Sequence, residues 1–334
     1  MSIVTTRRAT LAMTAAALGA AGGLGKPALA QRGAKTRLRL STTFTEQDLR
    51  ADAYKTLVQA VSSDFAIEPY FNNSLFRQGT ELVAMQRGNL EMCNLAPFDI
   101  AKQLPAWSLM TSAYLFRDVD HLNKVFRSEA GQDMIKMARD KLGIEIITPV
   151  YFGTRQVNLK PTKQIRTPAD LAGMKLRMPP GEFWQFLGEA IGASPTPVAY
   201  AEVYTALQTG AIDGQDNPLL ASQLMKFNEV TSQFVMTNHV IAYDCMAVTS
   251  KVWNAMTPEQ QSLLRREAEK AMGDYTIKYA AEEQKAAEAF KAQGLKVYTP
   301  DLDAFRAFAQ RKYLSSSYAV DWPAGMLERI NAVT

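Results

Sequence analysis

The stretch from Thr167 to Pro218, TPADLAGMKLRMPPGEFWQFLGEAIGASPTPVAYAEVYTALQTGAIDGQDNP, constrains the fold more than any other part of the chain. It strings together a helix start, a short strand, two helical stretches at 181–191 and 200–209, and a second strand at 211–216, the alternation of an α/β layer structure. Thr167 fits an N-cap, with Pro168 in the first turn and Asp170 at the positive end of the helix dipole. Gly173 ends that helix. Lys175-Leu176-Arg177-Met178 then alternates with period two until Pro179-Pro180 stops it, so Arg177 falls at the carboxyl end of a strand. Ligands of open α/β sheets bind at that end, and a guanidinium there can grip a carboxylate through two parallel hydrogen bonds. The alternative is that Arg177 pairs with a carboxylate of the protein itself. The stretch closes on Asp213-Gly214-Gln215-Asp216-Asn217-Pro218, which reads as a polar, glycine-containing turn.

The same alternation runs through the rest of the chain. TRLRLST from Thr36 alternates as a strand, residues 46–63 have helical spacing, AIEPYF is extended, and Gln78 to Arg87 is helical up to Gly88. A helix near 119–139 leads through Gly143 into IEIITPVYFG, a nearly continuous apolar run expected of a strand buried on both faces. HVIAYDCMAVTS is strand-like again. Thr257-Pro258-Glu259-Gln260 combines an N-cap, a first-turn proline and a capping-box partner, and helix-forming residues follow to Gly294. Unbroken, that helix would be roughly 50 Å long.

Residues 1–30 carry Arg7-Arg8, an alanine-rich apolar run and the small-x-small pattern Ala28-Leu29-Ala30, an export signal cut after Ala30. The paired arginines and Lys26 favour the twin-arginine route. The mature chain is therefore expected to be soluble in the periplasm. Losing the cations Arg7, Arg8 and Lys26 lowers the formal charge of +4 to +1. A nucleic-acid partner is not indicated. Cys93 and Cys245 could form a disulfide in that compartment or remain buried thiols. His121 and His239 are the only histidines and have no metal-ligand spacing. No nucleophile elbow, phosphate loop or dinucleotide fingerprint is present, so neither cofactor nor metal is expected.

GMKLRMPP, GASPTPVAYAEVYTALQTGAIDGQDNP and the earlier RQGTELVAMQRGNLEM closely resemble the DctP-type solute-binding proteins of tripartite ATP-independent periplasmic (TRAP) transporters, from about Leu38 to the C-terminal region. The resemblance implies an α/β, two-lobed periplasmic binding protein fold with hinge strands and a long helix bracing both lobes. Lobe I would hold 31–154 and 244–284, and lobe II 155–243 and 285–334. It implies that Arg177 makes the main salt bridge to a ligand carboxylate, that Asn217 helps hold it, and that Arg155 near the hinge is a second arginine of the site. Arg155 could instead reach a ligand hydroxyl or ketone, or pair with an acidic residue such as Glu81 or Asp216. Tyr200 matches a position that packs on the ligand, and equally fits a core aromatic. Phe152, Trp184 and Tyr243 lie beside the same strand ends. Phe44, Gln78, Glu81 and Asn94 lie near the first-lobe turns that make selectivity contacts. Some relatives hold a metal through a tryptophan where this chain has Asn217, which argues against a metal here.

The implied function is not enzymatic: capture of a small organic acid by a monomer, closure about the hinge, and delivery to the membrane subunits of a TRAP transporter. The aromatic residues favour a keto or hydroxy monocarboxylate with an apolar or aromatic body; a C4-dicarboxylate or a sugar acid remains open. The alternatives are ligand presentation to a membrane sensor and an exported oxidoreductase.

Overall fold

The structure, a computed structural model, describes residues 35–334, and the export signal expected at 1–30 lies outside the described residues. Nine strands form one sheet: β1 (Thr36–Ser41), β2 (Phe65–Tyr70), β3 (Met92–Leu95), β4 (Ile144–Leu159), β5 (Lys175–Met178), β6 (Ser194–Pro197), β7 (Gly214–Asn217), β8 (Gln233–Thr249) and β9 (Lys296–Tyr298). Their order is β2-β1-β3-β8-β4-β7-β5-β6, with β9 paired to β8. The flanking groups are parallel, β1 with β2 and β3 on one side and β5 with β6 and β7 on the other. Between them β4 and β8 run antiparallel over almost their whole length. The carboxyl end of β8 pairs with β3, while the carboxyl end of β4 pairs with β7. These two strands are the crossings that join the lobes. Their register shifts between Tyr151 and Thr154 and again between Arg155 and Val157, so the ladder is interrupted where the chain passes from one strand group to the other.

The helix Pro258–Ala292 is continuous and begins with the capping box of Thr257 and Gln260. It packs on the helix Leu49–Ala60, on β4, on the helix Leu219–Leu224 and on β9, and so braces elements of both groups. Arg265 on this brace donates to the Ile147 carbonyl at 2.9 Å and pairs with Glu145 at 2.7 Å. Farther along, Glu283 accepts the Thr154 amide at 3.1 Å, and Phe290 stacks on Phe234 of β8 with ring centroids 4.5 Å apart.

Several local expectations change. The helix expected near 119–139 is two helices, Val119–Arg127 and Glu129–Leu142, because Ser128 is extended and caps the second through the Gly131 amide. The helix expected from Gln78 to Arg87 is shorter, Glu81–Gln86. The strand expected at 211–216 falls at Gly214–Asn217 as β7, so the segment before Pro218 that also read as a glycine-containing turn is extended up to Asn217. Gly214 serves close strand packing: a Cβ there would lie 2.5 Å from Leu159 Cδ2 and 2.6 Å from the Asn158 carbonyl oxygen. Cys93 and Cys245 are buried free thiols. Cys93 faces Ala247 and Cys245 faces Leu95, so the two are not opposed across the β3–β8 ladder.

Candidate functional site

β5 carries Arg177 between Gln215 of β7 and Thr196 of β6, and the residue is 1% exposed. Its Nε donates to the Val198 carbonyl at 2.8 Å, and among the described residues its Nη2 has no hydrogen-bond partner and no carboxylate lies within salt-bridge distance. Burial pulls its pKa down to about 10, only partly offset by Asp216. A charged guanidinium held dry and unpaired is costly unless something anionic meets it. Arg177 opens into a cleft lined from both strand groups, with about 880 Å³ of free space including open solvent.

Arg155 on β4 lines the same cavity but is already paired. Its Nε lies 2.6 Å from Asp216 Oδ2, and its Nη2 donates to Asp216 Oδ1 at 2.9 Å and to the Asp216 carbonyl at 2.6 Å. Behind them His239 Nε2 donates to Asp216 Oδ2 at 3.0 Å, which leaves Nδ1 to accept from the Thr237 hydroxyl at 2.8 Å. Burial keeps this imidazole neutral. Burial also pushes the Asp216 carboxyl up, but Arg155 and His239 outweigh it and hold the group well below the ordinary carboxylate range.

Asn217 ends β7 on the cavity wall, where its amide donates to Gln215 Oε1 at 2.6 Å. Tyr200 faces Arg177, with the guanidinium carbon 5.8 Å from its ring centre. Trp184 stacks on Phe98 at 3.5 Å and lies 4.8 Å from the Arg155 guanidinium. Phe152 and Phe44 sandwich Arg50, at 4.4 and 4.2 Å. Much of the aromatic surface that favoured an apolar ligand body is therefore engaged by the protein's own cations and rings. Tyr243 lies apart from the others: it donates to the Met110 carbonyl at 2.9 Å, packs on Phe116 and Phe126, and borders a second, mainly apolar cleft.

The first strand group contributes Gln78, Glu81 and Asn94 to the main cavity. Glu81 is 2% exposed, and neither carboxylate oxygen has a hydrogen-bond partner. Burial pushes its pKa up to about 7 and Asp99 adds to the rise; the amides of Glu81, Gly79 and Thr80 lie close enough to lower it in part, although none reaches hydrogen-bond geometry. Asn94 donates to Asp244 at 2.5 Å and accepts from Tyr54 at 2.8 Å.

Sequence reasoning missed Asp48, Arg50, Asp99 and Asp244, all on the cavity wall. Arg50 bridges Asp48 at 2.8 Å and Asp244 at 3.1 Å. Burial lifts Asp244 to about 6 against the pull of Arg50 and Asn94, and burial lifts Asp99 to about 6 against Lys102. Two signals were available: an arginine in the first turn of a helix opposes the dipole, and Asp244 interrupts an otherwise apolar strand.

Of ten buried side-chain atoms without a hydrogen-bond partner among the described residues, five belong to cavity residues: Thr45 Oγ1, Asn73 Oδ1, both oxygens of Glu81 and Nη2 of Arg177. Buried polar groups are ordinarily satisfied. Their concentration here points to a polar ligand with an anionic group.

Residues 41–319 match the family of bacterial extracellular solute-binding proteins, family 7 (DctP). A TRAP periplasmic solute-binding protein of Roseobacter denitrificans with bound 3-deoxy-D-manno-oct-2-ulosonic acid is 40% identical and superposes with a TM-score of 0.87, over 90% of this chain and all of that one. The sialic acid-binding periplasmic protein SiaP of Vibrio cholerae is 30% identical over 63% of this chain, which spans 65% of that protein's length. The C4-dicarboxylate-binding periplasmic protein DctP of Rhodobacter capsulatus is 33% identical over 68% of each chain. Among the described residues no helix is long and apolar enough to cross a membrane. With its two lobes, crossing strands and long brace, the chain belongs to the DctP family of TRAP periplasmic solute-binding proteins.

Proposed function

We propose that this protein captures a sugar-type monocarboxylate, a keto or hydroxy acid carrying several hydroxyls, and delivers it to the membrane subunits of a TRAP transporter. The observation that carries this reading is the buried Arg177, whose guanidinium opens into the main cavity with no carboxylate partner. Its fork matches a carboxylate, and Asn217 on the adjacent strand can donate to the same group. Tyr200 then covers the ligand from the Arg177 side. Phe44, Phe152 and Trp184 shape the walls, and Gln78, Glu81 and Asn94 offer acceptors and donors suited to hydroxyls. Arg155, neutralised by Asp216, would donate to a ligand oxygen without adding net charge. The ulosonic acid in the Roseobacter protein is consistent with such a ligand. Tyr243 stays a core residue in this reading.

Capture needs no covalent step. A ligand favours the closed arrangement of the lobes only by contacting it better than the open one. Thermal shift of the mature protein against a panel of sugar acids, keto acids and aromatic acids tests the assignment. Stabilisation by sugar acids that disappears in Arg177→Ala supports it. Selective stabilisation by aromatic acids would overturn it.

A further inference from the structure

Three guanidiniums and four carboxyls line the main cavity. Arg155 is matched by Asp216 behind the wall, and Arg50 is held between Asp48 and Asp244. Arg177 is thus the one cavity guanidinium without a carboxylate among the described residues. The unmatched acids lie across the β4–β8 pair from it, on the helices that follow β2 and β3. Glu81 is buried with both oxygens unpartnered, and Asp99 forms no salt bridge. They are neighbours: Asp99 Oδ1 lies 3.6 Å from the position a Cβ on Gly79 would take, two residues before Glu81, and each is close enough to Cys93 for its charge to be felt there. No group of three or more His, Cys, Asp or Glu among the described residues could hold a metal ion.

Resting on the carboxylate clamp proposed above, we infer that Glu81 and Asp99 act as a charge filter, admitting acids whose far end is neutral and hydroxyl-bearing and excluding acids with a second carboxylate there. A hydroxyl can donate to an unpartnered carboxyl oxygen. Above about pH 7, where both carboxyls are ionised, a second carboxylate has no proton to donate and meets like charge in a partly buried site. Arg50 offers it no uncompensated positive charge, because Asp48 and Asp244 already pair with it. Specificity of this kind rests on a repulsive element as much as on attraction. The filter separates sugar monoacids from C4-dicarboxylates and aldarates, although both carry the carboxylate that Arg177 needs.

Titration calorimetry on the mature protein at pH 8, where both carboxyls are ionised, tests the filter with matched probes: D-gluconate against D-glucarate, D-galacturonate against galactarate, and D-erythronate against tartrate and succinate. Monoacids that bind are expected to do so at least about 30-fold more tightly than their diacid partners, a gap within the reach of one like-charge contact. Glu81→Gln and Asp99→Asn each narrow that ratio at least about fivefold by removing one repelling charge. Circular dichroism confirms folding, and either variant alone suffices. Diacids binding within threefold of monoacids (about 0.7 kcal/mol), or a ratio unchanged in both folded variants, overturns the filter. So does 6-aminohexanoate binding more tightly than every monoacid, since that assigns the far end to a cation. If diacids bind and Arg177→Ala abolishes their binding, the clamp stands and only the filter falls. If no acid binds, the clamp itself fails and the filter with it.

Discussion

Arg155 and Asp216 meet at 2.6 Å with both groups buried, and this pairing makes the two arginines of the site chemically unlike. The carboxylate that would have neutralised Arg177 from the neighbouring strand is turned toward Arg155 and His239 instead. Arg177 keeps an unmet charge, which a binding protein needs in order to favour an anion.

That unmet charge costs stability in the empty protein. Because burial lowers the folded-state pKa of Arg177 from 12.5 to about 10, charging it works against folding at neutral pH. Arg177→Met is expected to raise the stability of the empty protein by about 1–3 kcal/mol while abolishing acid binding, a trade between stability and function. Denaturant unfolding without ligand checks this, and a lower midpoint in the variant would sink it.

Asp216→Asn should do the opposite. It strands the Arg155 guanidinium in a buried site, and breaking such a pair costs about 3–5 kcal/mol. The carboxyl's folded pKa lies below its unfolded value, so its contribution is present above pH 3.8 and is lost as acid protonates it. The gap between wild type and variant in urea midpoint should therefore close on acidification. An equal gap at pH 7 and pH 3 would count against the pairing.

Glu283 ties the brace to the crossing strand through the Thr154 amide and the Tyr151 hydroxyl, the latter at 3.2 Å. Burial lifts its pKa from 4.5 to about 7. The folded state thus holds a proton that the unfolded chain releases, and stability, full below pH 4.5, falls as pH rises through 7. Glu81 contributes in the same direction. Thermal midpoints should drop between pH 5 and pH 8, and the drop should shrink in Glu283→Gln. An unchanged slope in the variant would assign the dependence elsewhere.

Gly153 sits where β4 loses register, with φ of 108°. A Cβ there would come within 2.5 Å of Pro218 Cβ, 2.8 Å of Glu283 Oε1 and 2.9 Å of the Tyr279 ring. Gly153→Ala is expected to destabilise by about 2 kcal/mol or more through backbone strain and overpacking. It should also weaken the response to ligand in thermal shift. A variant as stable and as responsive as wild type would show that the crossing tolerates a side chain.

The sequence by itself determined what depends on near neighbours. The brace helix follows from its capping box and an uninterrupted run of helix formers, and Arg177 is placed at a strand end by period-two alternation and the prolines that stop it. The family motif made Asn217 and Tyr200 candidates, and both line the cavity with Arg177. Tertiary structure decided which charges meet. Of the two acids the sequence offered Arg155, the fold selects Asp216, and Arg50 finds Asp244 across 194 positions, a separation at which no local pattern marks a partner. The same limit hid the role of Gly214, a matter of contact with Leu159 on the neighbouring strand. Tyr243 looked like a site aromatic because its strand passes the cavity, yet its side chain packs on Phe116 and Phe126. Period and capping fix where a side chain lies along its own element, whereas the partner of a buried charge is fixed only when distant strands pack and exclude water.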